Sequence, residues 1–198
     1  MTLSVDNRIL MSLFELCGDE ERGLNKAFIF CKRNKAPIFF ASNGYSAIKI
    51  EEAEPELYDG DDMVIAIPDL FKKILKYKKK EEDKNPDLNN TLIEVWGDEV
   101  RLENFSYLPL NCRFINENKK FEKLPDVFKY KYEKTEVLAL NMGLTAKVAS
   151  ALGKLGVSKV PTLALSADGG ALCGNIQNEN FIVELALMPC RTEGAKNE

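Results

Sequence analysis

Seven carboxylates fall within twelve residues, at Glu51, Glu52, Glu54, Glu56, Asp59, Asp61 and Asp62, the densest acidic run in the chain. Carboxylates this close together are raw material for a cation site or for paired acid–base chemistry. The ligand spacing of an EF-hand calcium loop is absent, however. Pro55 and Gly60 interrupt the run, which predicts a solvated loop. The chain contains no histidine. That removes the commonest general base and metal ligand, and with them every Ser-His or Cys-His nucleophile. A metal-dependent nuclease built on Asp and Glu is the enzyme reading that remains. No acidic motif sits on an apolar scaffold to carry it, so the chain reads as a non-enzyme. Asp168-Gly169-Gly170 fits neither phosphate-loop glycine pattern, and no cofactor is implied.

Cys17, Cys31, Cys112, Cys173 and Cys190 form an odd set without a C-x-x-C pair, which suits a reducing, cytoplasmic setting. Basic groups are concentrated between Pro68 and Lys80. At helical spacing Phe71, Ile74, Leu75 and Lys78 share one side, while Lys72, Lys73, Lys76, Lys79 and Lys80 share another. Such a face is either simple solvation or a surface for phosphates, and Glu81, Glu82 and Asp83 offset part of its field. Trp96, Phe105 and Tyr107 could stack bases, but Trp96 stands beside a turn and Phe105 before an apolar strand, so packing is the expected use.

The elements that must position these groups follow from periodicity. A length of 198 residues with 45% hydrophobic residues supports one large domain or two small ones, and a net charge of −4 argues against a generally cationic surface. No apolar stretch is long enough for a bilayer, and no basic-then-apolar leader opens the chain, so no membrane partner is expected. Apolar residues at three- and four-residue steps predict a helix from Asn7 to Cys17, N-capped by Asp6. Strands are expected at Lys26 to Lys32, Pro37 to Ala41 and Tyr45 to Ile50, with Ser42-Asn43-Gly44 as a turn. A second unit follows: strand Met63 to Ile67, a helix opened by Pro68, then strands at Thr91 to Trp96, Glu99 to Glu103 and Pro109 to Ile115. After a polar linker at Asn116 to Lys123 comes a third: strand Glu136 to Leu140, helix Met142 to Leu155, and strands at Pro161 to Ser166, Ala171 to Ile176 and Phe181 to Met188. The three units share order and spacing but little residue identity. Domains are expected at 1–122 and 123–198.

Three separated motifs resemble the bacterial DNA polymerase III beta sliding clamp. Ala41-Ser42-Asn43-Gly44-Tyr45-Ser46-Ala47 is similar to its A-T-D-G-H-R-L turn, with Tyr45 and Ser46 in place of His-Arg. Leu124-Pro125-Asp126-Val127 is similar to its F-P-D-Y segment, and Ala186-Leu187-Met188-Pro189-Cys190-Arg191 to its C-terminal V-V-M-P-M-R. Ile65-Ala66-Ile67-Pro68-Asp69-Leu70 also resembles its strand-to-helix step. The family's first domain is missing, and the second half of the chain has room for only about half a domain.

The resemblance implies an α+β sliding-clamp fold, with repeated strand-helix-meander modules and helices on one face of antiparallel sheets. It implies a processivity or recruitment factor for DNA replication, a homo-oligomeric ring binding duplex DNA non-specifically. Peptides of DNA polymerases or clamp loaders would dock in a hydrophobic pocket. By matching position that pocket is lined by Ser42, Gly44, Tyr45, Ala47, Pro125, Lys129, Leu187, Met188, Pro189 and Arg191. The residues themselves allow another reading, in which Leu187 and Met188 are strand core and Gly44 is a turn glycine. Facing DNA would be Lys72, Lys73, Lys76, Lys79 and Lys80, extended by Arg8, Lys147 and Lys154. Five neutralised phosphates would give a log-log salt slope of roughly −4 to −5. The alternative within this fold is a monomeric peptide-binding adaptor or decoy that forms no ring.

Overall fold

A computed structural model describes residues 2–18, 24–69, 71–72, 90–97, 99–103, 110–113, 128, 132–133, 141–157, 163–166 and 171–188. The elements in chain order are β1 (Thr2–Asp6), α1 (Asn7–Glu15), β2 (Lys26–Cys31), β3 (Ile38–Ser42), β4 (Ser46–Glu52), β5 (Met63–Pro68), β6 (Asn90–Trp96), β7 (Glu99–Glu103), β8 (Leu110–Arg113), β9 (Tyr132–Glu133), α2 (Met142–Lys154), β10 (Ala164–Ser166), β11 (Leu172–Gln177) and β12 (Phe181–Leu187).

Local chemistry sets the helix ends. The Asp6 carboxylate accepts the Arg8 N–H at 2.7 Å and starts α1. Asn141 does the same for α2, accepting from Gly143 at 2.9 Å and Leu144 at 3.2 Å. Past the end of α2, Gly156 takes φ 73°, a left-handed conformation in which the chain turns and Val157 N–H bonds back to the Leu152 carbonyl at 3.0 Å. Ile9, Leu10, Leu13 and Phe14 of α1 are all buried, each contributing roughly 1.5–3 kcal/mol of transfer free energy.

The topology shows how the repeated units interlock. One sheet has the order β1-β6-β7-β8, and the other begins β5-β2-β3-β4. Each first strand is therefore handed to the meander of the other unit: β1 pairs with β6, and β5 with β2. The second sheet continues through β12-β11-β10-β9, all antiparallel, and there β9 stands beside β10 as β1 stands beside β6. Between β1 and β5 the chain forms a helix and a three-strand meander. Between β9 and α2 it has only residues 134–141, so the third unit is the second half of such an interlocked pair, without the helix and meander that would precede it.

The two halves meet where β4 runs antiparallel to β12, in register from Phe181 opposite Glu52 to Leu187 opposite Ser46. Side chains of the eight-stranded sheet alternate between two apolar clusters, as a pleated strand requires. Ile29, Phe39, Ile48, Ile50, Val183, Leu185 and Leu187 join α1 and α2 in the main core. Phe28, Phe30, Phe40, Ala47, Cys173 and Ala186 form a second cluster with Phe128 and Ala171.

Two expectations need correction. Pro68 ends β5, opposite Lys26, and does not open a helix. β5 is an edge strand, where a residue without an N–H costs no ladder bond on its outer side. Trp96 is 59% exposed and packs into no core, because the alternation that buries Ile93 turns Trp96 outward. The linker at 116–123, the strand at 136–140, residues 105 and 107 and most of the helix expected from 68 to 80 lie outside the described residues, although Phe71 and Lys72 are helical.

Candidate functional site

The turn between β3 and β4 is built by its own side chains. Asn43 Oδ1 accepts hydrogen bonds from the backbone N–H of Tyr45 at 2.9 Å and of Ser46 at 2.8 Å. Ser42 Oγ accepts from the Gly44 N–H at 3.0 Å and donates to the Ser46 carbonyl at 3.0 Å. Gly44 has φ 85°, the left-handed region that favours glycine. The turn rests on Gly18, where an added Cβ would come within 2.7 Å of Asn43 Cα.

Across the seam, the Met188 N–H donates to the Tyr45 carbonyl at 2.7 Å. This brings together two exposed apolar side chains, Tyr45 at 50% and Met188 at 46%. Ala47 lies beneath, opposite Ala186, and is nearly buried. Leu187 faces the helix side and sits in the main core, so it holds the strand and does not line the surface. Of the ten expected pocket residues, Ser42, Gly44, Tyr45, Ala47 and Met188 gather at this end of the seam. Pro125, Lys129, Pro189 and Arg191 lie outside the described residues.

One neighbour was not anticipated. Phe128, three residues after Pro125, packs its ring edge-on against Phe40 at 6.1 Å between centroids. It is 7% exposed and shares a cluster with Ala47, Ala171, Cys173 and Ala186. The signal available was a run of small residues facing outward on neighbouring strands, which leaves room for one large ring.

Lower in the seam, Lys49 Nζ bonds Glu184 Oε1 at 2.6 Å and Glu51 Oε1 at 2.7 Å. Burial draws the Lys49 pKa down, but the hydrogen bonds it donates to the two carboxylates, together with their charge, outweigh it and leave the pKa above its ordinary value.

The expected DNA-facing cations divide. Arg8 forks onto Asp6, with Nη2 to Oδ2 at 2.6 Å, and its guanidinium stacks 5.0 Å from the Phe181 ring centroid. Lys72 Nζ reaches the Phe14 carbonyl at 3.3 Å and Glu15 Oε2 at 3.4 Å, closing the C-terminal end of α1. Both have protein partners. On α2, Lys147 is exposed and Lys154 half-buried, on a helix whose Val148, Ala151 and Leu152 enter the core. Lys73, Lys76, Lys79 and Lys80 lie outside the described residues.

Glu51 and Glu52, expected in the loop, are the last residues of β4, paired with β12, and the acidic stretch beyond them is a pinned loop. Tyr58 N–H bonds the Lys35 carbonyl at 3.0 Å, and Asn34 N–H bonds the Tyr58 carbonyl at 2.7 Å. Burial, with Asp6 and Glu56 nearby, raises the Glu52 pKa. Among the described residues no three His, Cys, Asp or Glu side chains converge as a metal site. Burial pushes Cys17 and Cys31 up to about 12, far from the thiolate that nucleophilic chemistry needs. No described helix is long and apolar enough to cross a membrane.

No protein-family model matches the chain, and no curated protein matches it in sequence. Solved structures do. DNA polymerase III subunit beta from Borrelia burgdorferi superposes with TM-score 0.60 at 13% identity, over 97% of this chain but 64% of that one. This chain therefore spans less than two thirds of that subunit's length. The Helicobacter pylori beta clamp bound to a DNA ligase peptide gives TM-score 0.53 at 12% identity, over 98% of this chain and 67% of that one. A. fulgidus PCNA, solved with the C-terminal region of FEN-1, gives TM-score 0.56 at 10% identity, over 98% and 99%. The interlocked units, the sheet continuous across the seam and these superpositions together show that the chain has the sliding-clamp fold.

Proposed function

We propose that the chain is a sliding-clamp-like processivity or recruitment factor for DNA replication, acting in the cytoplasm without chemistry of its own. The division into domains 1–122 and 123–198 belongs to this reading. The observation that carries it is the topology: two strand-exchanged units joined edge-to-edge with half of a second pair, with α1 and α2 packed on one face of the continuous sheet. In this reading duplex DNA passes the helix face and meets Lys147 and Lys154 without reading sequence. Partner peptides from polymerases or clamp loaders dock at the Tyr45–Met188 end of the seam, where two exposed apolar side chains border a nearly buried alanine floor. Clamps solved with a DNA ligase peptide and with a FEN-1 segment support the idea that this fold presents peptide sites. The test is retention on nicked circular plasmid against the same plasmid linearised, washed at high salt. An encircling assembly stays on the circle and slides off the linear form. Equal loss from both sinks the encircling reading.

A second reading is a monomeric clamp-like adaptor or decoy that binds the same peptides without a ring. It is favoured by the shortness of the third unit, in which only residues 134–141 separate β9 from α2.

A further inference from the structure

The outward face of the seam carries small side chains where a sheet face normally carries large ones. Ala47 and Ala186 face each other across β4 and β12, Cys173 of β11 lies opposite Ala186, and Ala171, just before β11, joins the same cluster with the Phe40 ring. Together they leave a depression that Phe128 fills from a distant part of the chain, in edge-on contact with Phe40. All six residues are at most 8% exposed, so the ring is seated and not merely adjacent. Tyr45 and Met188 stand two positions from Ala47 and Ala186, and strand alternation puts them on the same side of the sheet. The exposed apolar pair thus forms a rim beside a filled aromatic socket.

We infer that Phe128 is an internal plug, and that the socket beneath it receives an aromatic side chain of a partner peptide, which exchanges with Phe128 on docking. This rests on the peptide-docking reading above and adds its regulation. The seated ring shows which chemistry the socket accepts: a planar apolar group of phenyl size. A plug that occupies the socket most of the time lowers the apparent affinity for any competitor by the fraction of time the socket is free.

The test uses a fluorescein-labelled synthetic peptide with the sequence of residues 124–131, Leu-Pro-Asp-Val-Phe-Lys-Tyr-Lys, added to the full chain and followed by anisotropy. The Phe128→Ala chain is expected to bind it at least about tenfold more tightly than the parent. A peptide with alanine in place of its phenylalanine should bind neither. Equal affinity for parent and variant, or no binding to a Phe128→Ala chain that circular dichroism shows to be folded, overturns the inference. Should Phe128→Ala fail to fold, Phe128→Leu, which keeps part of the apolar contact, is held to the same ordering. Retention on circular DNA reads the clamp function separately, so its loss with the peptide ordering intact sinks that function and leaves the plug standing.

Discussion

Met188 donates its backbone N–H to the carbonyl of Tyr45 at 2.7 Å, one step beyond the last paired residues of β4 and β12. This bond ties the end of β12 to the turn that opens β4 and sets two exposed apolar side chains side by side. Because it is made by backbone atoms, side chains at both positions can be changed without breaking it.

Met188→Ala and Tyr45→Ala should therefore weaken peptide docking while leaving the fold intact. A loss of about tenfold is expected for each, the usual size for a central apolar contact. Anisotropy with the labelled peptide on the Phe128→Ala chain measures the affinity, and thermal unfolding should shift by little.

Gly18→Ala should disturb the same site from behind. Its Cβ would meet Asn43 Cα at 2.7 Å and Leu24 Cβ at 3.2 Å, and backbone cannot yield as a flexible side chain does. A destabilisation of about 1–3 kcal/mol is expected in urea unfolding. Amide exchange should quicken at Tyr45 and Ser46, whose N–H groups depend on Asn43.

The ion cluster of the seam predicts a pH dependence. Lys49 has its pKa raised in the folded state, so its contribution is fully present below the ordinary lysine value of 10.5 and is lost as pH rises through the higher folded value. Lys49→Met should cost about 1–2 kcal/mol, modest because the three groups keep some contact with solvent. The gap between parent and variant should hold from pH 7 to 9 and close only under strongly alkaline conditions, as followed by denaturant midpoints.

The cations differ in what they should do to DNA binding. Replacing Lys147 and Lys154 together by alanine should reduce the log-log salt slope for duplex binding by about 2. Arg8→Ala should act mainly on stability, because Arg8 already serves Asp6 and Phe181. Salt titrations on two unrelated duplexes should give the same slopes, and a sequence-dependent slope would contradict the non-specific mode.

Much of this was legible in the chain. The periodicity of Ile9, Leu10, Leu13 and Phe14 and the cap at Asp6 located α1, and the meander strands followed from alternation and turn residues. Strands β1 and β9 were not foreseen. Thr2–Asp6 has only Leu3 and Val5 as apolar markers, and Tyr132–Glu133 is two residues long, so both are defined by distant partners, β6 and β10. The strand exchange was hidden for the same reason: a pattern reports what a residue faces, not which strand it joins. The Ser42-Asn43-Gly44 turn was legible from its residue types, and the structure has it there between β3 and β4. Leu187 packs into the main core, the strand-core reading its sequence also allowed, because a one-residue step along a strand reverses its face. Phe128 escaped notice because its role depends on small residues far away in sequence.

The proposed encircling function requires the chain to assemble into a closed, clamp-like ring, and its mass in solution by size-exclusion chromatography with light scattering, at low and physiological salt, tests this most directly. A closed trimer or tetramer is the predicted result. A monomer persisting at concentrations on the order of tens of micromolar, where a micromolar subunit contact would already be mostly occupied, would contradict the ring and leave the peptide-binding adaptor as the account of this fold.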